Sequence, residues 1–238
     1  MIKKDGPILL LTWASGCLDA LSYVGLGQVF VANMTGNTVL FGLAIAQGDQ
    51  LTILRSLTAL LGFALGAMCS AFLVERNYER PRGTWTPRVV LALAIEACLL
   101  LIFALVRLLA KHGPQVNLII YLLIVISALA VGQQSAVVTS LGVPGVSTTY
   151  ITGTITTLMT AIGRRLFIHT QEPPTVANTV DAQIEQQKPV RLAFVWLIYI
   201  VAAIVTGTGL IHFSALVVFL PLIAVVAAIL SALPRQSS

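Results

Sequence analysis

Hydrophobic and polar positions alternate along this chain in long blocks. Six apolar runs, approximately 8–27, 53–74, 88–109, 116–138, 191–211 and 214–233, are separated by short polar segments. A hydrocarbon core about 30 Å thick requires roughly 20 residues of helix, so the pattern predicts an all-α polytopic membrane protein with six full spans. Two shorter apolar segments, 34–47 and 150–163, do not fit that template. A helix starting near Thr35 and ending near Gln47 rises only about 20 Å at 1.5 Å per residue. Each follows a stretch unsuited to starting a helix: QVFVAN at 28–33 is rich in strand formers, and LGVPGVSTTY at 141–150 carries Pro144 and two glycines. The expectation is six spans plus two short broken or re-entrant helices.

The two broken regions resemble each other. Gly16-Cys17-Leu18-Asp19-Ala20 precedes Asn33-Met34-Thr35-Gly36-Asn37-Thr38, and Gly132-Gln133-Gln134-Ser135-Ala136 precedes Tyr150-Ile151-Thr152-Gly153-Thr154-Ile155. The spacing from the first glycine to the threonine of Thr-Gly is 19 residues in one half and 20 in the other. Further on, Phe63-Ala64-Leu65-Gly66-Ala67 matches Tyr199-Ile200-Val201-Ala202-Ala203 more weakly. The reading is two internal repeats, 1–112 and 113–238, each a long helix, a short broken element and two long helices. Interrupted segments at equivalent places in duplicated halves are the best sequence pointer to a transporter binding site. Re-entrant short elements give three spans per half and inverted repeats; crossing ones give four and parallel repeats.

Composition agrees with the pattern: 57% of residues are hydrophobic and 10% charged, against about 25% charged in soluble domains. The net charge of +5 does not imply a nucleic-acid partner, because the basic residues cluster between apolar runs, as membrane topology requires. Six spans with the N-terminus inside place eleven Lys and Arg inside and three outside; eight spans give ten and four. The six-span arrangement keeps the arginines of ERNYERPRGTWTPR cytoplasmic. The polar segment 164–190, with Pro173-Pro174, is expected to be a partly disordered cytoplasmic loop. Lys3 and Lys4 before an apolar run imitate a signal peptide, yet the run continues through Asp19, so it reads as an uncleaved first span. Cys17, Cys69 and Cys98 stand alone and read as small buried hydrophobes, and His112, His169 and His212 as surface residues.

Candidate chemistry lies deep in the spans. An ionisable residue there costs several kcal/mol unless it faces a cavity or a partner, which makes Asp19 and Glu96 candidates for a proton-coupling acid. The alternative for Asp19 is a hydrogen-bonded carboxyl that only ties helices together. Half-helices beginning at Thr35-Gly36 and Thr152-Gly153 direct free amides and a positive dipole end toward the midplane, with Asn33, Asn37, Thr38, Thr154 and Thr156 adding side-chain groups. Such ends suit an anion or a solute carboxylate; the bland alternative is helix capping and close packing. Gln133, Gln134 and Ser135 either line the same cavity or bond across helices. Gly62 to Gly66 reads as a packing face, and such faces leave room for a homodimer. Arg107 is expected to reach the interface rather than pair with Glu96. No nucleophile constellation, metal cluster or phosphate loop stands out, so neither an enzyme, a cofactor nor a metal is expected.

The blocks GCLDALSYVGLGQVFVANMTGNTVLFGLAIA and GQQSAVVTSLGVPGVSTTYITGTITTLMTAIG resemble the YoaK-like family of bacterial integral membrane proteins, whose domain has no assigned function. The matching positions are Gly16, Asp19, Ala20, Asn33, Thr35, Gly36, Asn37 and Thr38, then Gly132, Gln133, Thr152 and Gly153. At Ser135 the chain departs from the Asn common in the family. The resemblance implies a multi-pass protein of the bacterial inner membrane and supplies no substrate. The residues themselves point to a transporter or channel for a small polar or anionic solute, with Asp19, Asn33, Thr35, Gly36, Asn37, Thr38, Gln133, Thr152, Gly153 and Thr154 at the solute site. The alternative is a non-transporting scaffold or sensor in which the broken elements pack dry.

Overall fold

The computed structural model describes residues 2–74, 85–110, 116–141, 151–167 and 179–233. Among them the helices are α1 (Ile2–Gly25), α2 (Met34–Gln47), α3 (Gln50–Val74), α4 (Pro87–Leu109), α5 (Val116–Leu141), α6 (Ile151–Phe167), α7 (Thr179–His212), α8 (Ser214–Val217) and α9 (Leu220–Ala232). Six stretches are long and apolar enough to cross a membrane: Gly6–Gly25, Gln50–Val74, Pro87–Leu109, Leu118–Leu141, Pro189–His212 and Ala215–Ala232. The last joins α8 to α9 through a turn at Val218 and Phe219. All six expected spans are present, and α2 and α6 are the two short elements between them.

Helix pairing follows one scheme throughout. α3 packs along α5 and α1 along α7; α4 packs on α5 and α1 on α9; α2 lies on α3 and α6 on α7. Exchanging α1 with α5, α2 with α6, α3 with α7 and α4 with α9 turns each of these contacts into another of them, and α4 also meets α9. Glycine makes the central crossings close. A methyl group on Gly16 would stand 2.8 Å from the Tyr199 carbonyl oxygen and 3.0 Å from Ala202 Cβ. One on Gly132 would collide with the Phe63 carbonyl oxygen, so only a residue without Cβ lets α5 lie this near α3. Gly62 and Gly66 meet Ala128 and Leu129 of α5 in the same contact, so that packing face is occupied within the chain.

The first broken element is re-entrant. Past the end of α1, Gly27 lies against the Arg55 guanidinium near the start of α3, and Arg107, near the end of α4, lies beside Gly25. The end of α1, the start of α3 and the end of α4 therefore share one side of the bundle. Between them the chain turns back, because Val31 and Ala32 donate their amides to Asp19, about 9 Å back along α1 from Gly25 at 1.5 Å per residue. From that depth α2 climbs about 20 Å and delivers the chain to α3 on the side it came from. Leu158 of α6 instead clusters with Ile8 at the start of α1 and with Leu192 and Val195 of α7, toward the opposite side.

Two expectations need correction. The polar segment 164–190 is helical at both ends, since α6 continues to Phe167 and α7 begins at Thr179 with Pro189 inside it. Its TVDAQIEQQK stretch is made largely of good helix formers; polarity alone concealed this. Of the cysteines, Cys17 is buried but Cys69 and Cys98 are exposed, on outward faces of α3 and α4 where a small apolar side chain suits lipid. Arg76, Arg80, Arg82, His112, His169, Pro173 and residues 142–150 lie outside the described residues.

Candidate functional site

The break between α1 and α2 brings unpaired backbone groups to membrane depth, where each must find a partner inside the protein. Three side chains supply those partners. Asp19 Oδ1 accepts the amides of Val31 at 2.9 Å and Ala32 at 2.7 Å. Asn33 caps α2 by accepting the Gly36 amide at 3.0 Å. Asn37, fully buried, accepts the Phe30 amide at 3.0 Å and donates to the Phe30 carbonyl at 2.6 Å, which closes the turn as a strand partner would. The Phe30 ring then stacks on Tyr23, centroids 5.0 Å apart. Val29, Val31 and Ala32 pack into the main core, so the strand-like composition of this stretch serves an extended, buried conformation.

Asp19 Oδ2 takes a third donor, the hydroxyl of Tyr199 on α7. Its carboxyl is thus an acceptor for donors from two elements, held on the side of α1 that faces the break. Tyr199 has its ring at the edge of a cavity of about 570 Å³. The wall comprises Ala32, Asn33, Met34 and Thr35 at the start of α2, Phe63 of α3, Ser135 and Thr139 of α5, Ile151 and Thr152 at the start of α6, and Tyr199. Both short helices begin at this cavity. Hydroxyl groups and two aromatic rings dominate the wall, and none of these residues is charged.

The sequence candidates therefore separate into groups. Asn33, Thr35 and Thr152 meet at the cavity, with Asp19 one hydrogen bond behind Tyr199. Gly36, Asn37 and Thr38 build the broken element instead: Gly36 receives the cap, Asn37 closes the turn, and Thr38 bonds back to the Met34 carbonyl at 2.9 Å. Gly153 and Thr154 belong to the first turn of α6 but not to the cavity wall, and Thr156 bonds back to the Thr152 carbonyl at 3.0 Å. Gln133 donates to the Ala92 carbonyl of α4, and Gln134 to Leu11 and Ser15 of α1 at 3.0 and 2.8 Å, so both tie helices together. Glu96 is fully buried on α4, away from the cavity wall, and its oxygens have no hydrogen-bond partner among the described residues. No group of three His, Cys, Asp or Glu able to hold a metal occurs among the described residues.

Sequence reasoning missed Phe63, Thr139 and Tyr199 as wall residues. The signal was available for two of them. Phe63 and Tyr199 open the FALGA and YIVAA blocks, an aromatic residue at the same place in each, and a tyrosine deep in an apolar span needs a partner for its hydroxyl.

The sequence pattern of the DUF1275 family, described as a protein of unknown function, matches residues 8–232. The transmembrane protein YoaK of Bacillus subtilis (strain 168), a UPF0700 protein, is 32% identical over 220 residues, covering 92% of this chain and 90% of that protein. No solved structure matches the chain. A match that runs from the first span to the last, together with the six membrane-length helices, makes this chain a transmembrane member of the DUF1275 family.

Proposed function

We propose that the protein passes a small polar solute across the bacterial inner membrane, through the cavity between the starts of α2 and α6. The observation that carries this is the shared wall: Thr35 and Phe63 come from one half of the chain, Thr152 and Tyr199 from the other, at corresponding places. We read the halves as inverted repeats. The reading is supported by the exchangeable helix contacts, by the close approaches at Gly16 and Gly132, and by the buried faces of α4 and α9. On those helices Val89, Ala92, Leu93, Glu96 and Leu100 recur as Pro221, Ala224, Val225, Ala228 and Ala232 in the same order and spacing. Two halves related this way can each open the central cavity to one side.

Asp19 is the coupling acid in this proposal. Its carboxyl joins α1, the break before α2, and α7. A proton on Oδ2 takes the place that the Tyr199 hydroxyl hydrogen occupies, while Oδ1 still accepts the Val31 and Ala32 amides, so protonation loosens α7 from α1 at the cavity and leaves the break intact. Glu96 is not among the cavity-wall residues, its oxygens have no hydrogen-bond partner among the described residues, and this proposal gives it no part in the solute path.

The test is two-sided accessibility. In a background lacking the native cysteines, Thr35→Cys and Thr152→Cys are probed with a membrane-impermeant thiol reagent on right-side-out and inverted vesicles. Transport requires that each position react from both sides, because a central site alternates. A scaffold with dry broken elements gives no reaction, and reaction from one side only under every condition also removes the transport reading.

A further inference from the structure

The cavity wall says which solutes fit, and this step rests on the transport reading above. The half-helix ends suggested an anion. The geometry points elsewhere: we infer that the site takes an uncharged, hydrogen-bonding solute and rejects anions.

The positive end of α2 already has its anion, which the chain itself supplies. Asp19 accepts the Val31 and Ala32 amides immediately before the helix, and the Asn33 side chain accepts the Gly36 amide in its first turn. At α2 the amides that could cradle a phosphate or carboxylate are thus turned to protein oxygens. A second negative charge in the cavity faces Asp19 through the Tyr199 hydroxyl, with no Lys, Arg or His among the described wall residues to offset the repulsion. A cation is served no better. The Asp19 carboxyl does not line the cavity, and three hydrogen bonds already occupy it.

What the wall does offer is neutral. Thr35 and Thr152 bring hydroxyls able to give or receive a hydrogen bond, the Tyr199 hydroxyl, whose hydrogen goes to Asp19, can receive one, and Phe63 and Met34 add apolar surface. A volume of about 570 Å³ corresponds to roughly 19 water molecules at about 30 Å³ each. That is room for a compact polyol or amide with a remnant of its hydration, and the mixed wall suits a molecule with one polar and one apolar side.

The test does not require knowing the solute. The same single-cysteine proteins, Thr35→Cys and Thr152→Cys, are reacted with three methanethiosulfonates of similar size: 2-hydroxyethyl (uncharged), 2-sulfonatoethyl (anionic) and 2-trimethylammonioethyl (cationic). Each rate is divided by that reagent's rate with free 2-mercaptoethanol; comparing reagents at one site cancels the reactivity of that thiol. The expected result is that the uncharged reagent is fastest and the anionic one about tenfold slower, a factor of the size that one nearby charge produces at protein dielectric. Adding Asp19→Asn, which keeps the volume and one acceptor oxygen, should restore most of the anionic rate. An anionic or cationic reagent that matches or outruns the uncharged one overturns the solute class and leaves transport standing. If none of the three reacts at either position, the cavity is closed to solutes and the transport reading falls with it.

Discussion

The Tyr199 hydroxyl donates to the Asp19 carboxylate across the contact of α1 with α7, while the corresponding places in the other pairing, α5 with α3, are held by Ser135 and Phe63, both in the cavity wall. Phenylalanine has no hydroxyl to give, so the two halves differ by one latch. That difference is chemical and lies in the wall of the proposed solute site.

Removing the latch has a graded cost. Tyr199→Phe deletes one hydrogen bond to a charged group and copies the Phe63 side, and should destabilise the detergent-solubilised protein by about 1.5–3 kcal/mol. Asp19→Ala strands the Val31 and Ala32 amides as well, each unsatisfied buried group adding about 1–3 kcal/mol. Thermal unfolding of both variants measures the order; an Asp19→Ala protein no less stable than Tyr199→Phe would show that the break does not depend on this carboxyl.

The two asparagines of the break should respond differently to the same change. Asn33 acts as a cap through its side-chain oxygen, and aspartate caps a helix as well as asparagine does, so Asn33→Asp should leave stability nearly unchanged. Asn37 uses both ends of its amide, accepting from the Phe30 amide and donating to its carbonyl. Asn37→Asp loses the donor and buries an unsatisfied carbonyl and a carboxyl together, a loss of about 1–3 kcal/mol or more. Chromatographic monodispersity and melting temperature of the pair decide the point.

How far the sequence disclosed this arrangement can be judged from these residues. Periodicity and length located all six spans, because apolar runs of bilayer length have one stable outcome, and the strand-like 28–33 segment marked the break. The VANMTGNT stretch read as a ligand site, yet Asn33, Asn37 and Thr38 each bond to backbone groups of the break or of α2. From sequence alone a polar side chain that serves the backbone looks the same as one that serves a solute. For Tyr199 the need of a partner was legible but not which one: Asp19 lies 180 residues away, and nothing local names a contact at that separation.

Close packing of the halves should be sensitive at one glycine and not at another. Gly132→Ala pushes a methyl group into the Phe63 carbonyl, and forcing apart a packed contact costs about 1–3 kcal/mol. Gly207, in α7, has open space where its Cβ would stand. There Gly207→Ala should be neutral or stabilise by up to about 1 kcal/mol through helix propensity. Melting curves of the two single variants, recorded in the same detergent, should diverge in opposite directions from the parent.

Acid should weaken the start of α3 through a single exposed carboxylate. Asp49 precedes α3 and accepts the Thr52 hydroxyl at 2.6 Å, the Thr52 amide at 3.2 Å and the Leu51 amide at 3.1 Å. The Thr52 side chain and backbone, with the Arg55 charge adding to them, hold its carboxyl below the ordinary aspartate range. Because the folded value is depressed, the cap contributes fully above the unfolded pKa of about 3.9 and is lost as pH falls through the folded value. Asp49→Ala should therefore melt at a lower temperature than the parent at neutral pH, and the gap should narrow progressively below about pH 4. A gap that stays constant down to strongly acidic pH would mean that the ionised carboxylate is not what holds this turn.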